Sequence, residues 1–203
     1  MILSTEKLPV VETFYSIQGE GLFTGKPSFF IRLGGCDVCC TWCDEKLAWD
    51  ESLYPQIPVE QIVNEVLKTK AESVVVTGGE PFRHNLKTLT ELIQRKGIYC
   101  QVETSGTGII TGTWDWITLS PKQQQPPLQS VYEQANELKV VIQKEEDFLW
   151  AEKNASAVSS DVLLFLQPEW SQFHEILPFI MRYIKNNPKW RLSVQVHKFL
   201  NIP

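Results

Sequence analysis

No run of apolar residues in this sequence approaches the ~18–20 positions that a membrane-crossing helix needs. Glu6, Lys7 and Glu12 interrupt the opening stretch MILSTEKLPVVETF, so no secretory signal peptide is expected there. Positive charge is in deficit: 19 Lys and Arg stand against 24 Asp and Glu, a formal net charge of -5. An acidic chain is a poor general phosphate binder, which argues against nucleic acid as the main partner. Internal repeats and long low-complexity tracts are missing too. The nearest approach is the short polar run Gln123, Gln124, Gln125, Pro126 and Pro127, which reads as a loop. Cysteine is scarce, at five residues, and four of them fall between positions 36 and 43, which is no disulfide framework. The expectation is a cytoplasmic protein with reduced thiols, in which clustered cysteines bind metal or do chemistry.

What remains is apolar enough to fold. The 203 residues are 43% hydrophobic and include seven Trp and ten Phe, which suits one domain over residues 1–203 with a real core. Leu8–Ile17 and Phe29–Leu33 read as strands. Pro58 to Lys68 reads as a helix, with Pro58 in its first turn and Ile62, Val63, Val66 and Leu67 on one face. Ser73–Thr77 is a short β-branched run, the mark of a strand buried on both faces. Asn85–Arg95 reads as a helix with Leu86, Leu89, Leu92 and Ile93 inward, and His84 and His174 read as ordinary helix residues. Further strands are expected at Tyr99–Glu103, Trp116–Leu119, Leu138–Ile142, Val162–Leu166 and Leu192–Val196. Helices are expected near Glu145–Glu152 and Phe173–Ile184. Strands separated by helices imply parallel βαβ units. Eight such units do not fit in this length, so the α/β fold expected is an open, partial (β/α) barrel of about six units. In such folds sites gather at the carboxyl ends of strands.

The densest chemistry is Cys36-Asp-Val-Cys-Cys-Thr-Trp-Cys43. Two metal readings stand. Cys36/Cys39 with Cys40/Cys43 makes two CxxC pairs that could hold a structural zinc, although such pairs normally come from separated segments. Alternatively Cys36, Cys40 and Cys43 ligate three irons of a [4Fe–4S] cube and Cys39 stands by. That arrangement leaves one iron open to a small molecule. Cys100, in an apolar strand pattern, reads as a small buried hydrophobe. A second feature, Thr77-Gly-Gly-Glu-Pro81, directly follows the strand Val74–Val76. Its glycines permit close backbone approach, and Glu80 offers an acceptor for an ammonium group.

Cys-x3-Cys-x2-Cys with Trp42 before the last cysteine resembles the signature loop of the radical S-adenosylmethionine (SAM) superfamily. The glycine stretch resembles that superfamily's Gly-Gly-Glu motif, which grips the SAM amino group. Within it, the chain is similar along nearly its whole length to the 7-carboxy-7-deazaguanine synthases. The stretches that carry the likeness are Phe14–Gly21, Phe30–Cys36, Cys43-Asp44, Glu103–Gly106, Ser120-Pro-Lys122, Glu137-Leu-Lys139, Leu166-Gln-Pro168, Gln195–Lys198 and Ile202-Pro203. The resemblance implies a lyase that converts 6-carboxy-5,6,7,8-tetrahydropterin to 7-carboxy-7-deazaguanine with loss of ammonia, in 7-deazapurine and queuosine biosynthesis. It implies a [4Fe–4S] cluster, SAM used catalytically, Mg²⁺, a flavodoxin- or ferredoxin-type reductant and a homodimer. It assigns SAM to Trp42, Cys43, Asp44, Gly79, Ser120, Pro121, Lys122, Gln167, Pro168, Glu169 and Trp170. The pterin falls to Ile17, Gln18, Gly19, Arg32, Thr77 and Pro203.

Residue chemistry is compatible with several of those roles. Arg32 lies in an apolar strand pattern, where an unpaired guanidinium is costly, and a guanidinium suits a carboxylate. Gln18 can both donate and accept, as a pterin edge requires. His197 and Lys198 are placed to steady the tail. Two departures stand out. The family usually has Thr or Ser two residues after the third cluster cysteine, as a Mg²⁺ contact; here the residue is Glu45, which can supply a hard oxygen ligand or remain a solvated charge. The other departure is Cys39, read as packing filler. Two rivals remain at this stage: a glycyl-radical-enzyme activating protein and a zinc-stabilised binding module.

Overall fold

The computed structural model describes residues 6–203. They build one nine-stranded sheet in the order β3-β1-β2-β4-β5-β6-β7-β8-β9. The strands β1 (Lys7–Ile17) and β2 (Pro27–Leu33) form an antiparallel hairpin. The short β3 (Gln56–Pro58) adds antiparallel to β1. From β2 onward all pairings are parallel, through β4 (Ser73–Gly78), β5 (Tyr99–Thr104), β6 (Trp116–Leu119), β7 (Glu137–Ile142), β8 (Leu163–Pro168) and β9 (Trp190–Leu192). These six parallel steps match the expected number of units. The sheet does not close, since β3 and β9 form its two edges.

Helices follow the strands where apolar periodicity placed them. α1 (Val59–Leu67) begins after Pro58 and buries Val59, Ile62, Val63 and Val66. α2 (Lys87–Gln94) buries Leu89, Thr90 and Ile93. α3 (Gln129–Tyr132) is a single turn between β6 and β7, and α4 (Asp147–Ala155) joins β7 to β8. α5 (Phe173–Asn186) joins β8 to β9 and buries Ile176 and Ile180. The core lies between this helical layer and the sheet. Val74, Val75 and Val76 in β4 are all essentially solvent-free, as a strand covered on both faces must be.

Four local expectations differ from the structure. The last strand is Trp190–Leu192 rather than Leu192–Val196, and residues 196–200 form α6 (Val196–Leu200). The buried anchor is Trp190, paired with Leu164. Past Leu192 the one backbone bond to β8 is from the Ser193 amide to Leu166 O, while the side chains of Ser193 and Gln195 bond those of Gln167 and Glu20. Edge strand β3 and the single turn α3 are too short to show a period. His84 caps the 3-10 turn Pro81–Arg83, and its ring contacts the Gly34 carbonyl at 2.8 Å.

Candidate active site

A cavity of about 250 Å³ opens at the carboxyl ends of the parallel strands. The strands β2, β4, β5, β6, β7 and β8 each send a residue to it: Arg32, Thr77, Glu103, Ser120, Lys139 and Gln167, in that order, from the strands or the turns after them. This is where a parallel sheet leaves its turns free to carry chemistry.

The cysteine loop forms one wall. It is tied down at both ends by backbone bonds, Gly35 N to Ala48 O at 2.7 Å and Cys36 N to Trp49 O at 3.1 Å. The glycine turn after β4 packs directly against it: Gly79 N donates to Leu33 O at 2.8 Å and Glu80 N to Gly35 O at 2.7 Å. A Cβ at Gly79 would sit 2.1 Å from Gly35 O, and one at Gly78 (φ +123) 2.2 Å from Leu33 O. Both glycines are therefore required by close approach, the second also by backbone conformation.

Cys36, Cys40 and Cys43 line the cavity. Cys39 does not. It is exposed, its backbone is left-handed at φ 48, and its thiol lies 3.4 Å from the Cys36 carbonyl. Cys100 is buried in β5, where burial, with the nearby Asp115 charge, pushes its thiol up to about 12. Three thiols on one loop, with no fourth cysteine at the cavity, fit a cluster with one open iron. The two-CxxC zinc reading needs Cys39 beside the other three thiols, and Cys39 instead stands exposed, outside the cavity that they line.

Of the residues expected to hold SAM, Trp42, Cys43, Asp44, Gly79, Ser120, Lys122 and the run Gln167 to Trp170 all line the cavity. Pro121 differs: it is buried behind the turn and does not reach it. The Lys122 ammonium donates to both Ser120 oxygens, at 2.6 and 2.7 Å, and lies 5.5 Å from the Trp42 ring centre. Burial holds its pKa below that of an ordinary lysine, against the opposing pull of Cys40, Glu80 and Glu20. Glu80 departs from its expected role. It is fully buried beneath the cavity-lining Thr104 and Ser105, and its carboxylate accepts from Phe82 N, Thr104 Oγ1, Ser105 N and Ser105 Oγ at 2.5–3.0 Å. It ties the turn after β4 to the turn after β5.

The residues expected at the pterin also converge. Ile17, Gln18, Gly19, Arg32, Thr77, Glu45 and Pro203 line the same cavity. Arg32 Nε donates to Glu12 at 2.8 Å and lies 3.7 Å from Glu45. Ser16 Oγ donates to the Pro203 carbonyl at 2.9 Å. The tail is fastened to the β1 end of the sheet, with Val196 N on Gly19 O at 3.0 Å and Lys198 on Asp44 at 3.0 Å. A Cβ at Gly19 would meet His197 Nδ1 at 2.3 Å, so this glycine lets the tail come close.

Among the cavity residues that carry a charge or an amide, four went unassigned in the sequence: Glu20, Glu103, Lys139 and Gln195. One signal for them existed. Lys139 sits in Glu137-Leu-Lys-Val-Val-Ile142, a charge within an apolar strand, as with Arg32. An internal lysine of that kind needs carboxylate partners.

Comparison with known proteins agrees with this geometry. The model of the 4Fe-4S single cluster domain family matches residues 17–145. The 7-carboxy-7-deazaguanine synthase of Flavobacterium psychrophilum is 48% identical over 198 residues, covering 98% of this chain and 94% of that protein. Those of Synechocystis and Escherichia coli K12 are 45% and 34% identical, over 98% and 96% of this chain and 96% and 98% of their own lengths. The crystal structure of QueE from Escherichia coli superposes with a TM-score of 0.83 at 33% identity, covering 94% of this chain and 95% of that one. With identity and coverage of this order, the chain belongs to the 7-carboxy-7-deazaguanine synthase family.

Proposed function

We propose that this chain, acting as one radical SAM domain over residues 1–203, converts 6-carboxy-5,6,7,8-tetrahydropterin to 7-carboxy-7-deazaguanine and ammonia. The observation that carries the reading is the convergence of three loop thiols with Arg32, Glu20 and Glu103 on one cavity. When bound, the cluster with SAM on its open iron supplies reversible abstraction of a hydrogen atom.

The chain's own residues bind, orient and shield. Cys36, Cys40 and Cys43 hold the cluster. Trp42 and Lys122 flank the SAM side, with Ser120, Asp44, Gly79 and the Gln167–Trp170 turn supplying polar and backbone contacts. Pro121 serves from behind by fixing the Ser120–Lys122 turn. On the pterin side, Nε of Arg32 is engaged by Glu12, which leaves the two terminal nitrogens for a substrate carboxylate. Gln18 and Glu103 offer an amide and a carboxylate to the ring edge. Thr77 and the Ile17–Gly19 backbone border the same space, and Pro203 approaches it from the tail. Glu45, beside Arg32, is the hard oxygen donor for Mg²⁺. The reading carries with it a flavodoxin- or ferredoxin-type electron donor and a homodimer. Holding both ligands in one enclosed cavity provides proximity and excludes water and oxygen.

Anaerobic reconstitution followed by incubation with SAM, reductant and the pterin tests the reading. The expected result is deazaguanine product, a dependence on Mg²⁺ that Glu45→Ala weakens, and no 5′-deoxyadenosine in proportion to turnover. Absence of product from a fully loaded cluster would refute it. Deoxyadenosine formed once per turnover would instead favour the activating-enzyme rival. In iron and sulfide analysis, Cys39→Ser retains the cluster, whereas serine at Cys36, Cys40 or Cys43 loses it.

A further inference from the structure

Lys139 is the most deeply buried charged group of the cavity, with 4% of its side chain exposed. Its ammonium donates to Glu20 Oε2 and, at 3.2 Å, to Glu103 Oε2. The other oxygen of each carboxylate is held by an amide: Gln195 Nε2 donates to Glu20 Oε1 and Gln18 Nε2 to Glu103 Oε1, both at 2.9 Å. The Glu20 backbone N–H then donates to Gln18 Oε1 at 3.1 Å. The result is a closed ring, from Lys139 to Glu20 to Gln18 to Glu103 and back. It draws on the turn after β1, on β5 and on β7, and the chain separation between its ion-pair partners is 119 and 36 residues.

We infer that Lys139 is a positioning residue: bonded to both, it holds Glu20 and Glu103 turned as a fixed pair of acceptors at the floor of the cavity. Two carboxylates sharing one site cannot both stay charged without a counter-ion. Glu137, two residues away on the same face of β7, brings a third carboxylate near the ammonium without lining the cavity. The remaining charged and titratable neighbours are Lys122 from the turn after β6 and His197 from α6. Among these, Lys139 alone donates directly to both Glu20 and Glu103. Burial opposes its charge, but Glu103 and Glu20 outweigh that and raise its pKa above the ordinary lysine range. The same contact lowers that of Glu20 against the effect of burial. A heterocycle edge rich in N–H donors finds there two acceptors that need no rearrangement on binding. This rests on the proposed reaction for the identity of the ligand, not for the ring itself.

The test compares wild type, Lys139→Met and Lys139→Arg holoenzymes with 6-carboxy-5,6,7,8-tetrahydropterin from pH 6 to 9. Product from the wild type under the same conditions checks the reaction independently of the variants. Lys139→Met, matched for iron content and melting temperature, should show KM raised at least tenfold. Its kcat/KM should climb with pH, because without the cation one carboxylate keeps a proton that alkali removes. Lys139→Arg should restore most of the affinity and flatten that climb. If Lys139→Met keeps the wild-type KM and a pH profile parallel to the wild type, the inference is overturned. It is equally overturned if Arg and Met variants fall alike in kcat with KM unchanged. Should Lys139→Met not load its cluster, Lys139→Arg against Glu103→Gln, read by the same KM and pH profiles, decides between the same two outcomes.

Discussion

Of the backbone contacts that a single methyl group on a glycine would violate, the tightest is at Gly79. An alanine there brings its Cβ to 2.1 Å from Gly35 O and 3.0 Å from Ala48 O, both backbone atoms, where ordinary contact begins at 3.4 Å. Relief demands a separation of more than about 1 Å between the turn after β4 and the cysteine loop. The two hydrogen bonds that hold this turn to the end of β2 and the start of the loop, Gly79 N to Leu33 O at 2.8 Å and Glu80 N to Gly35 O at 2.7 Å, cannot survive that shift. Leaving buried backbone groups unpaired costs about 1–3 kcal/mol each, so the change should cost roughly 2–6 kcal/mol. For a chain of this size, that lowers Tm by roughly 5–20 °C. The displaced loop carries Cys36, so iron retention after anaerobic reconstitution and gel filtration should fall below half of wild type. Gly97→Ala is the control: its φ is +74 but nothing lies within 4 Å. It should cost only the left-handed strain of about 1–2 kcal/mol and keep full iron. Calorimetry and iron analysis on both variants decide the matter. A Gly79→Ala protein that melts no lower than Gly97→Ala and holds its iron would refute the close-packing argument.

Glu80→Gln turns an amide against donors that now meet a carboxylate, leaving at least one N–H unpaired. The expected loss is about 1–3 kcal/mol, visible as a lower Tm; weakened SAM binding at unchanged Tm would show instead that Glu80 touches the ligand. Glu137 is 2% exposed, and burial, with Glu103 and Glu20 nearby, pushes its carboxyl up to about 7 despite Lys139 and the Leu22 N–H. A raised carboxyl binds its proton more tightly in the folded state. Its contribution is therefore present below the ordinary carboxylate range and lost as pH rises through about 7. Glu137→Gln should flatten the fall in stability between about pH 4.5 and 7, by up to roughly 3 kcal/mol; chemical denaturation at both ends of that range, with an unchanged slope, would contradict the assignment.

Much of the sheet was legible because β4 is an unbroken apolar run, β2 and β7 are apolar but for a few polar positions, and the amphipathic helices between them keep a 3.6-residue period. The cysteine loop and the glycine turn were legible because their chemistry is local. What escaped did so for physical reasons. The strand at Trp190 depends on one buried indole, and the polar residues after it are bonded to partners far along the chain. Glu80 reads as a ligand in sequence, since only the fold brings Thr104 and Ser105 to its oxygens. The carboxylates around Lys139 arrive from distant turns, so nothing in local spacing announces them. Pro121 follows the same rule in reverse: it lies between two cavity residues yet faces the interior.

The fastening of Val196 and Lys198 to Gly19 and Asp44 has a consequence for biosynthesis. The ribosome makes residues 16–21 well before their partners at 193–203, so this wall of the chamber is incomplete until translation has passed both. A nascent chain can assemble its sheet vectorially, strand by strand, and still leave the thiols open to iron delivery.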